Sequence, residues 1–317
     1  MILPALTALV VAAPPAPEPP VLDFTRHDGT PRIVLIGDTG MPGPIVDRWR
    51  RTLAAKDKDA ILVLGDLVYP QAPPCPKGVP DLTARRVLDA HLAKALEGLG
   101  APVLLALGNH DTSWDEGDPP REKCVLAFVK PRADLELPAP YYAADFGSAV
   151  IVVLSSLALD DAQAAFAKRV FAAARPGARK ILAAHHVLKT YHDKIDEDVI
   201  APWLAKHGLV PDLWINGHAH VLQLGVYDGI LALTSGTGAL PRERPACKRH
   251  APAASGEGGL APVGVTSRSD DGCGPGQLFG SSAPGYAVLD IGADGRFTIT
   301  FENADGAQLY HYIEEGK

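Results

Sequence analysis

The chain has 317 residues, 47% of them apolar and 21% charged, with a formal net charge of −7. This is the composition of a folded globular protein, not a disordered one, and it supports one substantial hydrophobic core or at most two small ones. An acidic balance without a Lys/Arg run rules out a general nucleic-acid track on the surface.

Met1 to Ala13 is almost wholly apolar, and a Pro/Ala stretch with Glu18 as its one charge follows to Pro20. About a dozen apolar residues are too few to span a bilayer but match the hydrophobic region of a secretory signal. Against a signal, no basic residue precedes the run and no clean A-x-A site follows it. The apolar run outweighs these, and residues 1–21 are expected to form a signal and Pro-rich leader, with the mature chain starting between 14 and 22. The chain is expected to be exported, periplasmic or secreted, and to lack a transmembrane segment. Residues 22–317 read as one domain.

Within it, Arg32–Ile36, Ala60–Leu64, Val103–Leu107, Ala149–Leu154, Lys180–Ala184 and Leu213–Ile215 are runs of Val, Ile and Leu with little polar alternation. Such runs predict strands covered on both faces. Ile45, Trp49 and Leu53 recur at helical spacing between the first two. Val87 or Leu88, Leu92, Ala95 and Leu99 repeat the pattern up to Gly100. A third helix is predicted from Asp160/Asp161 through Phe166, Val170 and Phe171 to a stop at Arg175-Pro176-Gly177. This alternation predicts a layered α/β fold. Further on, Gln223–Asp228 and Ile230–Thr234 flank a Gly229 turn, and Tyr286–Ile291, Phe297–Glu302 and Leu309–Ile313 read as an antiparallel meander. Residues 241–284 between these blocks are rich in Gly, Ser and Pro and have no period, which predicts a surface-loop insertion.

Cys75, Cys124, Cys247 and Cys273 form no C-x-x-C pair, which argues against structural zinc. In an exported protein they can form two disulfides. Three pairings are open, and Cys75–Cys124 with Cys247–Cys273 is the expected one.

Five predicted strands end in residues that bind hard or borderline metals. They run into Gly37-Asp38-Thr39-Gly40, Gly65-Asp66-Leu67-Val68-Tyr69, Gly108-Asn109-His110-Asp111, His185-His186 and Asn216-Gly217-His218-Ala219-His220. Taken singly, each is an ordinary turn or helix cap. Together they mark a ligand site beyond the carboxyl ends of the strands of an α/β sheet.

The series Asp…Gly-Asp…Gly-Asn-His-Asp…His…Gly-His-x-His resembles the calcineurin-like metallophosphoesterases from about Pro31 to Ile313. The usual opening of that pattern is Asp-x-His, whereas position 40 here is glycine and Tyr69 stands three residues after Asp66. That exchange resembles the purple acid phosphatases. Pro138-Ala139-Pro140-Tyr141-Tyr142 and Ser235-Gly236-Thr237-Gly238 resemble elements of their smaller, single-domain members.

The resemblance implies a four-layer α-β-β-α sandwich with a mixed-sheet core and two metal ions. Asp38, Tyr69 and His220 would hold the first ion, and Asn109, His185 and His218 the second, with Asp66 bridging them. Anionic oxygens in the first set suit Fe(III), while imidazoles and an amide in the second suit Fe(II), Zn(II) or Mn(II). The expected reaction is hydrolysis of a small phosphate monoester by hydroxide generated at the metal pair, with an acid optimum. His110 is expected to contact the phosphoryl group or protonate the leaving group, oriented by Asp111, and His192 to contact substrate. His186 is read as a neighbour of the site, and His27, His91, His207, His250 and His311 as surface or helix-face residues. A phosphodiesterase or nucleotidase of the broader superfamily and a non-catalytic metal-binding homologue are the competing expectations. The oligomeric state is not readable from the sequence.

Overall fold

Runs of β-branched and leucine residues become central strands because both of their faces are covered. The computed structural model describes residues 18–25, 30–113, 120–189, 197–248 and 273–314. The strands are β1 (Val21–Asp23), β2 (Arg32–Ile36), β3 (Ala60–Val63), β4 (Val103–Leu105), β5 (Leu135–Glu136), β6 (Tyr142–Asp145), β7 (Ala149–Val153) and β8 (Arg179–Ala183). They continue with β9 (Leu213–Asn216), β10 (Leu222–Tyr227), β11 (Ile230–Ser235), β12 (Cys247–Lys248), β13 (Gln277–Ser281), β14 (Gly285–Ile291), β15 (Phe297–Asn303) and β16 (Gln308–Glu314).

Two mixed sheets result. One has seven strands in the order β16-β15-β14-β2-β3-β4-β5, parallel from β2 to β5 and antiparallel across the C-terminal meander. The other has nine in the order β1-β6-β7-β8-β9-β11-β10-β13-β12, with β7, β8, β9 and β11 parallel.

Alternation along the second sheet shows the layering. Ile151, Val153, Ile181, Ala183 and Ile215 join one core shared with the first sheet. Their neighbours Val150, Val152, Leu182 and Trp214 pack outward, against α5 (Asp161–Ala173) and α6 (Glu197–His207). On the far side of the first sheet, Trp49 and Leu53 of α1 (Pro44–Ala55) close the core. With them lies a helical segment made of α2 (Leu82–Leu88), a π turn over Asp89–Ala93, and α3 (Lys94–Leu96). The result is the expected α-β-β-α sandwich.

Part of the 241–284 stretch departs from the loop expected for it. β13 is largely buried and pairs with β10, and Cys247–Lys248 adds an edge strand to it. The Leu278-Phe279 pair is too short to stand out in a Gly/Ser-rich background. Helices α4 (Arg121–Val129) and α6 also lie where no helix is predicted, α6 because Pro202 interrupts its pattern. Both expected disulfides are formed, Cys75–Cys124 joining the loop after Tyr69 to α4 and Cys247–Cys273 closing residues 247–273. Among the described residues, no helix is long and apolar enough to cross a membrane.

Candidate metal centre

The carboxyl ends of β2, β3 and β4 in one sheet face those of β8 and β9 in the other, and the five predicted motifs meet there. Reaching this point bends the backbone. Among the described residues, five non-glycine residues have positive φ, and four of them are Asp38 (59°), Asp66 (55°), His218 (64°) and His220 (55°). The fifth, Asp228, starts the Asp-Gly turn between β10 and β11. A non-glycine residue held in the left-handed region costs roughly 1–3 kcal/mol and points to a functional constraint.

Two groups of atoms converge. The Tyr69 hydroxyl lies 2.9 Å from Asp38 Oδ1, 2.7 Å from Asp66 Oδ2 and 3.1 Å from His220 Nε2, and His220 Nε2 is 3.2 Å from Asp38 Oδ1. On the other side of Asp66, its Oδ1 is 3.3 Å from His185 Nε2. That nitrogen is 3.0 Å from Asn109 Oδ1 and 3.1 Å from His218 Nδ1. Asp66 thus presents one oxygen to each group.

These atoms fit metal ions better than they fit one another. A single phenol proton cannot serve two carboxylates and an imidazole together. Atoms bound about 2.0–2.2 Å from a common ion are spaced by roughly 3 Å, which is the separation found in both groups. Main-chain contacts set the outward-facing imidazole nitrogens as donors. His185 Nδ1 donates to Leu64 O at 2.7 Å, and His220 Nδ1 to Leu240 O. Each ring is left with Nε2 aimed inward, free to bind a metal once it carries no proton, as in metal-binding histidines whose other nitrogen donates to the main chain. Asp38 Oδ2 accepts the His218 amide at 2.9 Å and Asp66 Oδ1 the His110 amide at 3.0 Å, which locks both carboxylates.

Electrostatics carry the same message. Burial opposes charge on both Asp66 and His185, yet each holds the other ionised, Asp66 well below the carboxylate range and His185 pushed up to about 9. Burial, reinforced by Asp38 and Asp66, drives the Tyr69 phenol far above its normal value. Burial and the neighbouring His185 and His186 drive His218 down to about 2. In the metal-free protein the pair's contribution from His185 is complete below the ordinary histidine value of 6.5 and is lost as pH rises through about 9. A metal ion must displace that proton. Metal uptake at pH 7 is therefore expected to release a proton from His185, and affinity to rise with pH up to about 9. Calorimetry in buffers of different ionisation enthalpy measures this directly.

Gly40 stands where the broader pattern has histidine. A β-carbon there would lie 2.3 Å from the Val68 nitrogen and 2.4 Å from the Leu67 carbonyl carbon. The backbone leading to Tyr69 fills the space a histidine would need. Gly108 is fixed in the same way, since its β-carbon would fall 2.2 Å from Asp66 Oδ1.

His110 Nε2 lies 3.9 Å from Asp66 Oδ2, with the side chain 24% exposed at the rim of the centre. Its Nδ1 donates to the Pro70 carbonyl, not to Asp111. That corrects the partner expected for it; a main-chain acceptor has no side-chain signature to read. Asp111 is wholly buried and accepts the Leu67 amide at 2.9 Å and the Gly108 amide at 2.8 Å. Burial and then Asp66 push its carboxyl up to about 8, against those two amides. Asp111 is thus a strut between the Asp66 and Asn109 loops. Asp111→Ala is expected to cost about 1–3 kcal/mol for each amide left without an acceptor, read as a lower midpoint in denaturant.

His186 stands beside the second group. Ser156 Oγ lies 2.8 Å from its Nδ1 and accepts its amide at 3.1 Å, and its ring lies 4.6 Å from that of His218. Ser156 sits in a short 3-10 turn with no motif to announce it. His192 lies outside the described residues.

The sequence model of the calcineurin-like phosphoesterases matches residues 31–222. No curated protein matches the chain. Among solved structures, purple acid phosphatase PPD1 from yellow lupin (Lupinus luteus) seeds aligns with a TM-score of 0.61 at 15% identity. That alignment covers 90% of this chain and 54% of the lupin chain, so this chain spans about half the length of that relative. GAP50, the anchor in the inner membrane complex of Plasmodium, aligns with a TM-score of 0.59 at 13% identity over 92% of this chain and 90% of its own. PhoD aligns with a TM-score of 0.52 at 12% identity, covering 91% and 69%.

Proposed function

The chain belongs to the calcineurin-like phosphoesterase family, and from that premise we propose that it is a two-metal hydrolase of small phosphate monoesters with an acid optimum. Asp38, Tyr69 and His220 would hold the first ion and Asn109, His185 and His218 the second, with Asp66 shared between them. The observation that carries this reading is Asp66, whose two oxygens belong to different ligand groups. The first group offers two carboxylates and a phenol that burial keeps protonated unless a strong cation displaces the proton. That set suits Fe(III), and the second suits Fe(II), Zn(II) or Mn(II). When bound, the ions supply Lewis acidity to phosphoryl oxygens and make hydroxide available at low pH.

The chain's own groups do the rest. Pro70's carbonyl holds the His110 Nδ1 proton, so Nε2 faces the space above Asp66. From Nε2, His110 donates to the phosphoryl or leaving oxygen. Ser156 and His186 wall the second group against water. His192 remains a candidate substrate contact. Residues 22–317 act as one catalytic unit, and the two disulfides suit an exported protein.

Two other readings compete with this one. A phosphodiesterase or nucleotidase of the broader superfamily would use the same ions. GAP50, described as an anchor, marks the fold as no guarantee of catalysis. Rates on a phosphomonoester and a diester of the same phenol separate the three. The monoester is expected to be the faster substrate; a faster diester moves the assignment to the diesterases, and no turnover of either by metal-loaded protein supports the anchor-like reading.

A further inference from the structure

The helical segment that packs outside the seven-stranded sheet has a π turn at Asp89–Ala93, where the Lys94 amide donates to Asp89 O. Neither glycine nor proline occurs between Leu82 and Leu96 to cause it. Turns of this width are rare inside helices and gather at functional sites. This one carries His91, half-buried, whose Nδ1 donates to the Gly40 carbonyl at 2.6 Å. The sequence gives no reason to treat His91 as more than a helix-face residue.

Gly40 joins the two loops of the first ligand group. Its amide donates to Asp66 O at 3.0 Å, and its carbonyl accepts the Tyr69 amide at 2.9 Å. Asp38 lies two residues before it in the same loop. The His91 proton therefore lands on the carbonyl that fixes the backbone of Tyr69, from a helix outside the site. Without the extra residue of the π turn, the ring would face a different direction, since one inserted residue rotates a helix face by about 100°.

We infer that His91 is a positioning residue for the first metal ion, holding the Gly40 carbonyl and through it Asp38 and Tyr69. The inference rests on the reading that two ions bind. A donor at the rim of a ligand set typically changes metal affinity by about 10–100-fold.

The test is calorimetric titration of the metal-free protein with Zn(II), for wild type, His91→Phe, His91→Asn and His91→Gln. Asparagine keeps a donor where Nδ1 stands, and glutamine moves it outward. Tyr69→Phe identifies which binding step belongs to the first group. In His91→Phe and His91→Gln that step is expected to weaken by about tenfold or more while the other stays put. His91→Asn is expected to stay within about threefold of wild type, a third of that effect or less. If His91→Phe does not fold, the asparagine–glutamine comparison decides. Equal affinities in wild type and the glutamine variant overturn the inference, as does an asparagine variant as weak as glutamine. A wild-type protein that takes up no metal overturns the two-metal reading itself.

Discussion

Asp66→Asn is expected to lose the second ion outright, to hold the first only weakly, and to hydrolyse phosphoesters about 10³-fold more slowly or worse. The asymmetry follows from the charges. Asn109, His185 and His218 are neutral donors, so Asp66 Oδ1 is the only anionic atom of the second group. The first group keeps Asp38 and Tyr69 when Oδ2 is replaced by an amide. Asparagine preserves the size of the side chain and can still accept the His110 amide, so the fold should survive. The substitution also removes the charge that raises His185. The proton that His185 gives up on metal uptake should therefore disappear with the second ion. Metal analysis after gel filtration and calorimetry on the same sample check both halves. An Asp66→Asn protein with two full equivalents of metal would remove Asp66 from the bridging position.

His110→Ala is expected to leave both ions in place and to lower kcat by about 10²–10⁴-fold. Its Nε2, 3.9 Å from Asp66 Oδ2, belongs to neither ligand group, and the His110 amide that Asp66 accepts survives in alanine. The loss should depend on the substrate. A proton donated to the leaving oxygen matters most when that oxygen is basic, so alkyl phosphates should suffer more than nitrophenyl phosphate. His110→Gln should recover some activity if a hydrogen bond to phosphoryl oxygen is the larger part of the role. Metal loss in His110→Ala would make the residue a ligand or a prop for one.

Much of this centre is legible in the sequence because the candidate ligands gather just after strands and several are introduced by a glycine. Gly37-Asp38, Gly65-Asp66, Gly108-Asn109 and Gly217-His218 all have that form. Ile33 to Ile36 and Ala60 to Val63 are equally plain, since a buried parallel strand leaves an unbroken apolar run. What escapes the sequence is held by the main chain. Pro70 contributes a carbonyl to His110, Leu240 one to His220, and Gly40 one to His91; none of these roles depends on the side chain at that position. Asp111 misleads for the same reason. It sits beside a catalytic candidate in the chain, but its oxygens turn inward to the Leu67 and Gly108 amides. Short strands such as β5 and β12, of two residues each, have no periodicity to detect.

If Tyr69 is a metal ligand in a two-ion centre that shares Asp66, the visible absorption spectrum of the purified, oxidised protein, read with its metal content, reveals it. The expected result is two equivalents of metal and a broad purple charge-transfer band that disappears in Tyr69→Phe. A colourless protein holding two equivalents of zinc or manganese, with the same content in Tyr69→Phe, would contradict it and leave Tyr69 as a packing residue beside the centre.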